Sequence, residues 1–96
     1  MFLVVSYWEP LPGKEAEFDK IGQQVSSKLR EQPGVVMVET IKSEGKHVSV
    51  HGYSDESTYQ KLIHDPNSEF NKWVEQYNVD QIGKWVRSER GETRPH

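Results

Sequence analysis

Phe2–Trp8 is apolar on both faces, and few folds can accommodate such a strand in a chain of 96 residues. Alternation puts Phe2, Val4 and Trp8 on one side, with Leu3, Val5 and Tyr7 on the other. A strand of this kind is covered from both directions. Val35–Ser43 comes close to the same pattern, with Val36, Val38 and Thr40 on one face and Val35, Met37, Glu39 and Ile41 on the other. Two such strands need two covering layers. Yet only 33% of residues are apolar and the mean hydropathy is −0.84, against roughly 45–50% apolar residues in an ordinary domain. A single domain of this size is therefore expected to complete its burial against a second copy of itself.

The remaining elements follow from changes of period. Pro10, Pro12 and Gly13 close the first strand. From Lys14, the residues Phe18, Ile21, Val25 and Leu29 recur three or four apart among charged neighbours, which predicts an amphipathic helix ended by Gln32-Pro33-Gly34. Ser43-Glu44-Gly45-Lys46 predicts a short hairpin from the second strand into a third, Lys46–Tyr53. Ser54 or Asp55 is placed to cap a helix that buries Tyr59, Leu62 and Ile63. Asp65-Pro66 is read as the start of a new helix with the stripe Phe70, Trp73, Val74 and Tyr77. Ile82–Ser88 is the last strand, and 89–96 reads as a polar, frayed tail on the single domain 1–96. The order strand, helix, strand, strand, helix pair, strand predicts an α+β fold. It is the ferredoxin-like split βαβ arrangement, an antiparallel sheet with its helices on one face.

Charge and composition exclude several classes of function. A net charge of −3 with mixed signs gives no general attraction for nucleic acid or an anionic membrane. The absence of cysteine removes disulfides, thiolate metal sites and thiol nucleophiles. The opening MFLVV lacks the flanks of a signal peptide, and Glu9 ends it too early for a membrane span, so a cytoplasmic protein is expected. No metal site is expected from His47, His51 and His64, which stand on a strand and a helix, and no glycine-rich phosphate loop is present. His47, beside the hairpin turn, is expected to face solvent. Trp8, Trp73 and Trp85 suit a core better than an aromatic cage.

Three segments in order resemble the antibiotic biosynthesis monooxygenase family, a dimeric α/β barrel fold. YWEPLPGKEAEF looks like its first-strand exit and helix entry. EQPGVVMVETIKSEG is similar to its helix end and second strand. VHGYSDESTYQKLIHDPNSEF looks like its third strand, acidic helix start and following turn. The resemblance implies a homodimer joined through the sheet face. It implies one of two activities: oxygenation of quinol-like aromatics by molecular oxygen without metal or flavin, or degradation of haem. The haem-degrading members use an asparagine, a tryptophan and a histidine where this chain has Ser6, Tyr53 and Val74 or Trp73, so haem chemistry is not expected and no cofactor is assigned.

Carrying the family's strand parity across puts Phe2, Val4, Ser6, Trp8, Met37, Glu39, Ser49, His51 and Tyr53 on the side facing the helices. Leu3, Val5, Val36, Val38, Val48 and Val50 then face the partner. The expected site is a polar pocket with aromatic walls from Trp8, Phe70, Trp73 and Tyr77. In it, His51 takes a phenolic proton and Tyr53 hydrogen-bonds the substrate oxygen. Ser6, Trp8, Glu39, Ser49, Phe70 and Trp73 contact a small aromatic substrate. The alternatives are a non-catalytic dimer binding a small hydrophobic ligand, and a structural dimer with a filled core.

Overall fold

A computed structural model describes residues 1–95. β1 (Phe2–Pro10) lies between β3 (Lys46–Tyr53) and β4 (Gly83–Glu92), and β2 (Val35–Ser43) forms the far edge beyond β3. All neighbours are antiparallel. α1 (Glu15–Arg30), α2 (Glu56–Tyr59) and α3 (Glu69–Glu75) cover one face. This is the α+β, ferredoxin-like arrangement expected from the order of elements. No helix among the described residues is long and apolar enough to cross a membrane.

α1 carries Glu15 and Glu17 in its first turn and Lys28 and Arg30 in its last, matching the helix dipole at both ends. Arg30 also donates to the Val38 carbonyl at 2.8 and 3.2 Å, tying the helix end to the sheet. The β2–β3 hairpin is a two-residue turn in which Glu44 and Gly45 both take positive φ, 51° and 77°. Asp55 caps α2 by accepting from the Thr58 amide at 2.8 Å. The chain then continues through a wider π-helical turn, Gln60–His64.

Four expectations are corrected. β1 runs on through Pro10, which is tolerated at the end of the strand because its missing N–H costs little there. α3 does not start at Asp65-Pro66. Asp65 accepts from the Asn67 amide in a turn at 2.9 Å, and Ser68 is the cap, accepting from the Asn71 amide at 3.1 Å. Residues 89–92 are not a frayed tail but the second half of β4, paired along β1 as far as Phe2↔Glu92; His96 lies outside the described residues.

The fourth correction concerns β2. An irregularity between Val35 and Met37 inserts one extra residue, and every side chain after it changes face. Val38 and Thr40 therefore point to the helices, while Met37 and Glu39 lie on the open face. β1 and β3 keep the expected parity. The core on the helix side consists of Phe2, Val4, Leu29, Val38, Tyr53, Tyr59 and Phe70. The opposite face carries Leu3, Val5, Tyr7, Ile41, Val48 and Val50 in register, and no helix covers it.

Candidate functional site

Pairing across β2, β3 and β1 sorts the helix-facing side chains into rows. Val35, Tyr53 and Phe2 form the first row, then Val38, His51 and Val4, then Thr40, Ser49 and Ser6, then Lys42, His47 and Trp8. The third row is made entirely of short hydroxyl side chains. Opposite it, α1 presents Gly22 and Ser26, so neither layer fills the space between them. A cavity of about 490 Å³ results, within the range of small-molecule sites. Trp8, Phe18, Phe70 and Val74 wall it, and Glu75 and Asp80 are its charged lining residues.

His51 and His47 line this cavity from the rows on either side of Ser49. Their i, i+4 spacing would suit a shared metal on a helix, but on a strand it separates the two Cα atoms by ~13 Å. Among the described residues, no group of three or more metal-ligating side chains is assembled.

Behind His51, its Nδ1 meets the Tyr53 hydroxyl at 3.1 Å, and Tyr53 is 0% exposed. Burial, with Tyr59 adding to it, holds the Tyr53 phenol well above its ordinary pKa. The phenol therefore stays protonated and can donate to Nδ1. Burial also pushes His51 down to about 4, so the ring is neutral at physiological pH. With Nδ1 accepting, Nε2 carries the ring proton. Among the described residues that nitrogen has no hydrogen-bond partner.

His47 does not face solvent as expected. Its side chain is 12% exposed and stands edge-on to Phe18 at 5.1 Å. Nδ1 is buried without a hydrogen bond, and Asp19 Oδ1 lies 3.9 Å away. The same Asp19 carboxylate pairs with Lys42. Burial lowers the His47 pKa most, Asp19 opposes that shift, and Lys42 adds to it. The signal for this residue was present in the sequence, because His47 shares parity with Ser49 and His51. Its place beside the turn obscured it.

Of the expected site residues, Trp8, Ser49, His51 and Phe70 line the cavity together. Tyr53 reaches it only through His51. Ser6 shares the face, but its hydroxyl bonds Ser88 Oγ at 2.7 Å, and that oxygen also accepts from Trp85 Nε1. Glu39 is on the other side of the sheet, for the reason given above. Trp73 meets Tyr77 edge-on at 4.6 Å against the outer flank of α1, beneath Lys28, and does not line the cavity. Phe18, Ile21 and Val25 of the α1 stripe, Thr40 and residues 78–81 also line the cavity, and none of them is among the expected site residues.

No protein-family profile matches the sequence, and no curated protein matches it significantly. The solved structures do. SnoaB of Streptomyces nogalater, a cofactor-independent oxygenase, superposes with a TM-score of 0.79 at 12% identity, over 99% of this chain and 94% of its own. An antibiotic biosynthesis monooxygenase superposes at 0.78 with 13% identity, over 99% and 100%. Rv0793 of Mycobacterium tuberculosis gives 0.77 at 12% identity, over 99% and 96%. The chain has the fold of the antibiotic biosynthesis monooxygenases, and at these identities the likeness is one of fold.

Proposed function

We propose that the cavity binds a neutral, two- or three-ring polyphenol and promotes its oxygenation by molecular oxygen, without metal or flavin. The observation that carries this reading is His51, which lines a cavity walled in part by Trp8, Phe18 and Phe70 while its Nδ1 is engaged by Tyr53. The charged lining residues are both acidic, which disfavours an anionic ligand. The reaction needs little from the protein. Once a phenol loses its proton, the electron-rich ring reacts with oxygen at a carbon para to the hydroxyl. A phenol plus O₂ gives a para-quinone plus water, with one oxygen atom retained in the product. SnoaB, a cofactor-independent oxygenase of the same fold, supports the reading.

The test uses 1,5-dihydroxynaphthalene, whose oxygenation product, 5-hydroxy-1,4-naphthoquinone, absorbs visible light. Turnover should incorporate one atom from ¹⁸O₂ and should fall sharply in His51→Ala while the fold is retained. Oxygen uptake no faster than in buffer would remove the enzymatic reading. Thermal stabilisation by the diol without turnover would then favour a ligand-binding module, a reading for which the weak basicity of His51 speaks.

The same proposal includes a homodimer joined through the open sheet face. That face carries Leu3, Val5, Val50 and Ile41, the last 57% exposed, and a second copy is the simplest cover for an apolar sheet. Sedimentation as a monomer at micromolar concentration would exclude it.

A further inference from the structure

We propose that the two cavity histidines hold opposite tautomers and divide the proton chemistry: His47 accepts the phenolic proton, and His51 donates a hydrogen bond to the occupant's other oxygen. This rests on the reading of the cavity as a polyphenol site. It reassigns the base from His51, where the residue pattern first placed it, to His47.

The argument turns on what stands behind each ring. Behind His51 is a protonated phenol whose hydroxyl meets no acceptor among the described residues other than Nδ1 at 3.1 Å, so its hydrogen goes there. Nε2 must then carry the proton and can only donate into the cavity. Behind His47 is a carboxylate, which has nothing to donate. Asp19 Oδ1 lies 3.9 Å from a buried Nδ1 with no other partner. A lone pair on Nδ1 would face that negative charge, whereas an N–H is attracted to it. Nδ1 therefore carries the proton, and Nε2, packed beside Gly22 on the cavity wall, keeps its lone pair.

A proton passing from a phenol to His47 Nε2 makes an imidazolium, and its Nδ1–H then points at Asp19, so the new charge is compensated where it forms. The phenolate left behind is the species that reacts with oxygen in the balanced reaction given above. Asp19 from α1 and Lys42 from β2 act on the charge of His47, and Glu75, Asp80 and His51 are the other titratable groups lining the cavity. Asp19 and Tyr53 are positioning residues. They act through the rings.

Long-range ¹H–¹⁵N correlation spectra of the imidazoles decide the assignment whether or not turnover is found. The expected result is Nδ1–H for His47 and Nε2–H for His51. A single shared tautomer, or the reverse pair, overturns the inference. Kinetics with 1,5-dihydroxynaphthalene supply a second measurement. Glutamine can donate a hydrogen bond but is not a base, so His51→Gln should raise KM and lose far less kcat than His47→Gln. His47→Gln should lose about 100-fold in kcat. Asp19→Asn should lower kcat with little change in KM, and Tyr53→Phe should mix the His51 tautomers. Wild-type protein inert toward the diol defeats the functional reading alone. Active protein in which His47→Gln is harmless defeats this inference alone.

Discussion

The layer between sheet and helices is solid at one end and hollow at the other, although the same strands build both. At the solid end Tyr53, Tyr59 and Phe2 stack with centroids 5.1–5.3 Å apart, and Leu29 fills the space beneath α1 at 0% exposure. Two rows further along the sheet, Thr40 and Ser49 face Gly22 and Ser26, and none of the four can reach across. The difference is one of side-chain volume and not of backbone. It divides the labour of the domain: the aromatic end supplies stability, and the short-side-chain end supplies a site. The two ends meet at the Tyr53–His51 hydrogen bond, where the core fixes the orientation of a cavity residue.

The sharpest way to break this comparison is to truncate one α1 residue at each end. Leu29→Ala should cost about 4 kcal/mol by urea denaturation, because it opens a cavity in a filled region. Ile21→Ala, at the hollow end, should fall near 2 kcal/mol, since its side chain already borders empty space. Equal costs at matched protein concentration would mean that the two ends are packed alike.

Next in size is the pH dependence of stability. His51 has a folded pKa pushed down to about 4 from an ordinary 6.5. Below pH 6.5 the unfolded chain takes up the proton first, so stability is complete above that pH and declines as pH falls toward 4. The total loss is roughly 3 kcal/mol. His47 is lowered too and adds in the same direction. His51→Gln should flatten most of the slope between pH 6.5 and 4, as read from urea midpoints. An unchanged slope would place the titrating group elsewhere.

The two ends also differed in how legible they were from sequence. Element order, the hairpin at Glu44-Gly45 and the faces of β1 and β3 could be read because period 2 and period 3.6 are local properties. β2 was misread from Met37 onward because one bulged residue reverses parity, and no pattern within VVMVETIKS marks it. That error put Glu39 in the site and left Thr40 out. His51, Ser49, Trp8 and Phe70 were found because their strand and stripe positions sufficed. Trp73 was misplaced because the α3 stripe is wider than the cavity, and only packing shows that this ring turns to the outer flank of α1, beneath Lys28. His47 required knowing that the cavity continues past Ser49 to the hairpin, which depends on Gly22 lying across from it.

Gly22 gives the smallest expected effect and the most specific one. It lies within α1, where glycine costs roughly 0.5–1 kcal/mol relative to alanine. A Cβ there would meet His47 Cε1 at 3.4 Å, an ordinary contact that needs no rearrangement. Gly22→Ala should therefore raise stability by about 0.5–1 kcal/mol, while the new methyl group projects toward the ring nitrogen that opens on the cavity. If the hollow end is kept open for an occupant at His47, the stabilised variant should bind 1,5-dihydroxynaphthalene more weakly in a thermal-shift titration. The matching exchange Ser27→Ala, one turn on and on the outer side of the helix, should leave binding untouched. A Gly22→Ala protein that is more stable and binds the diol as well as wild type would show that the space beside His47 is not where the ligand sits.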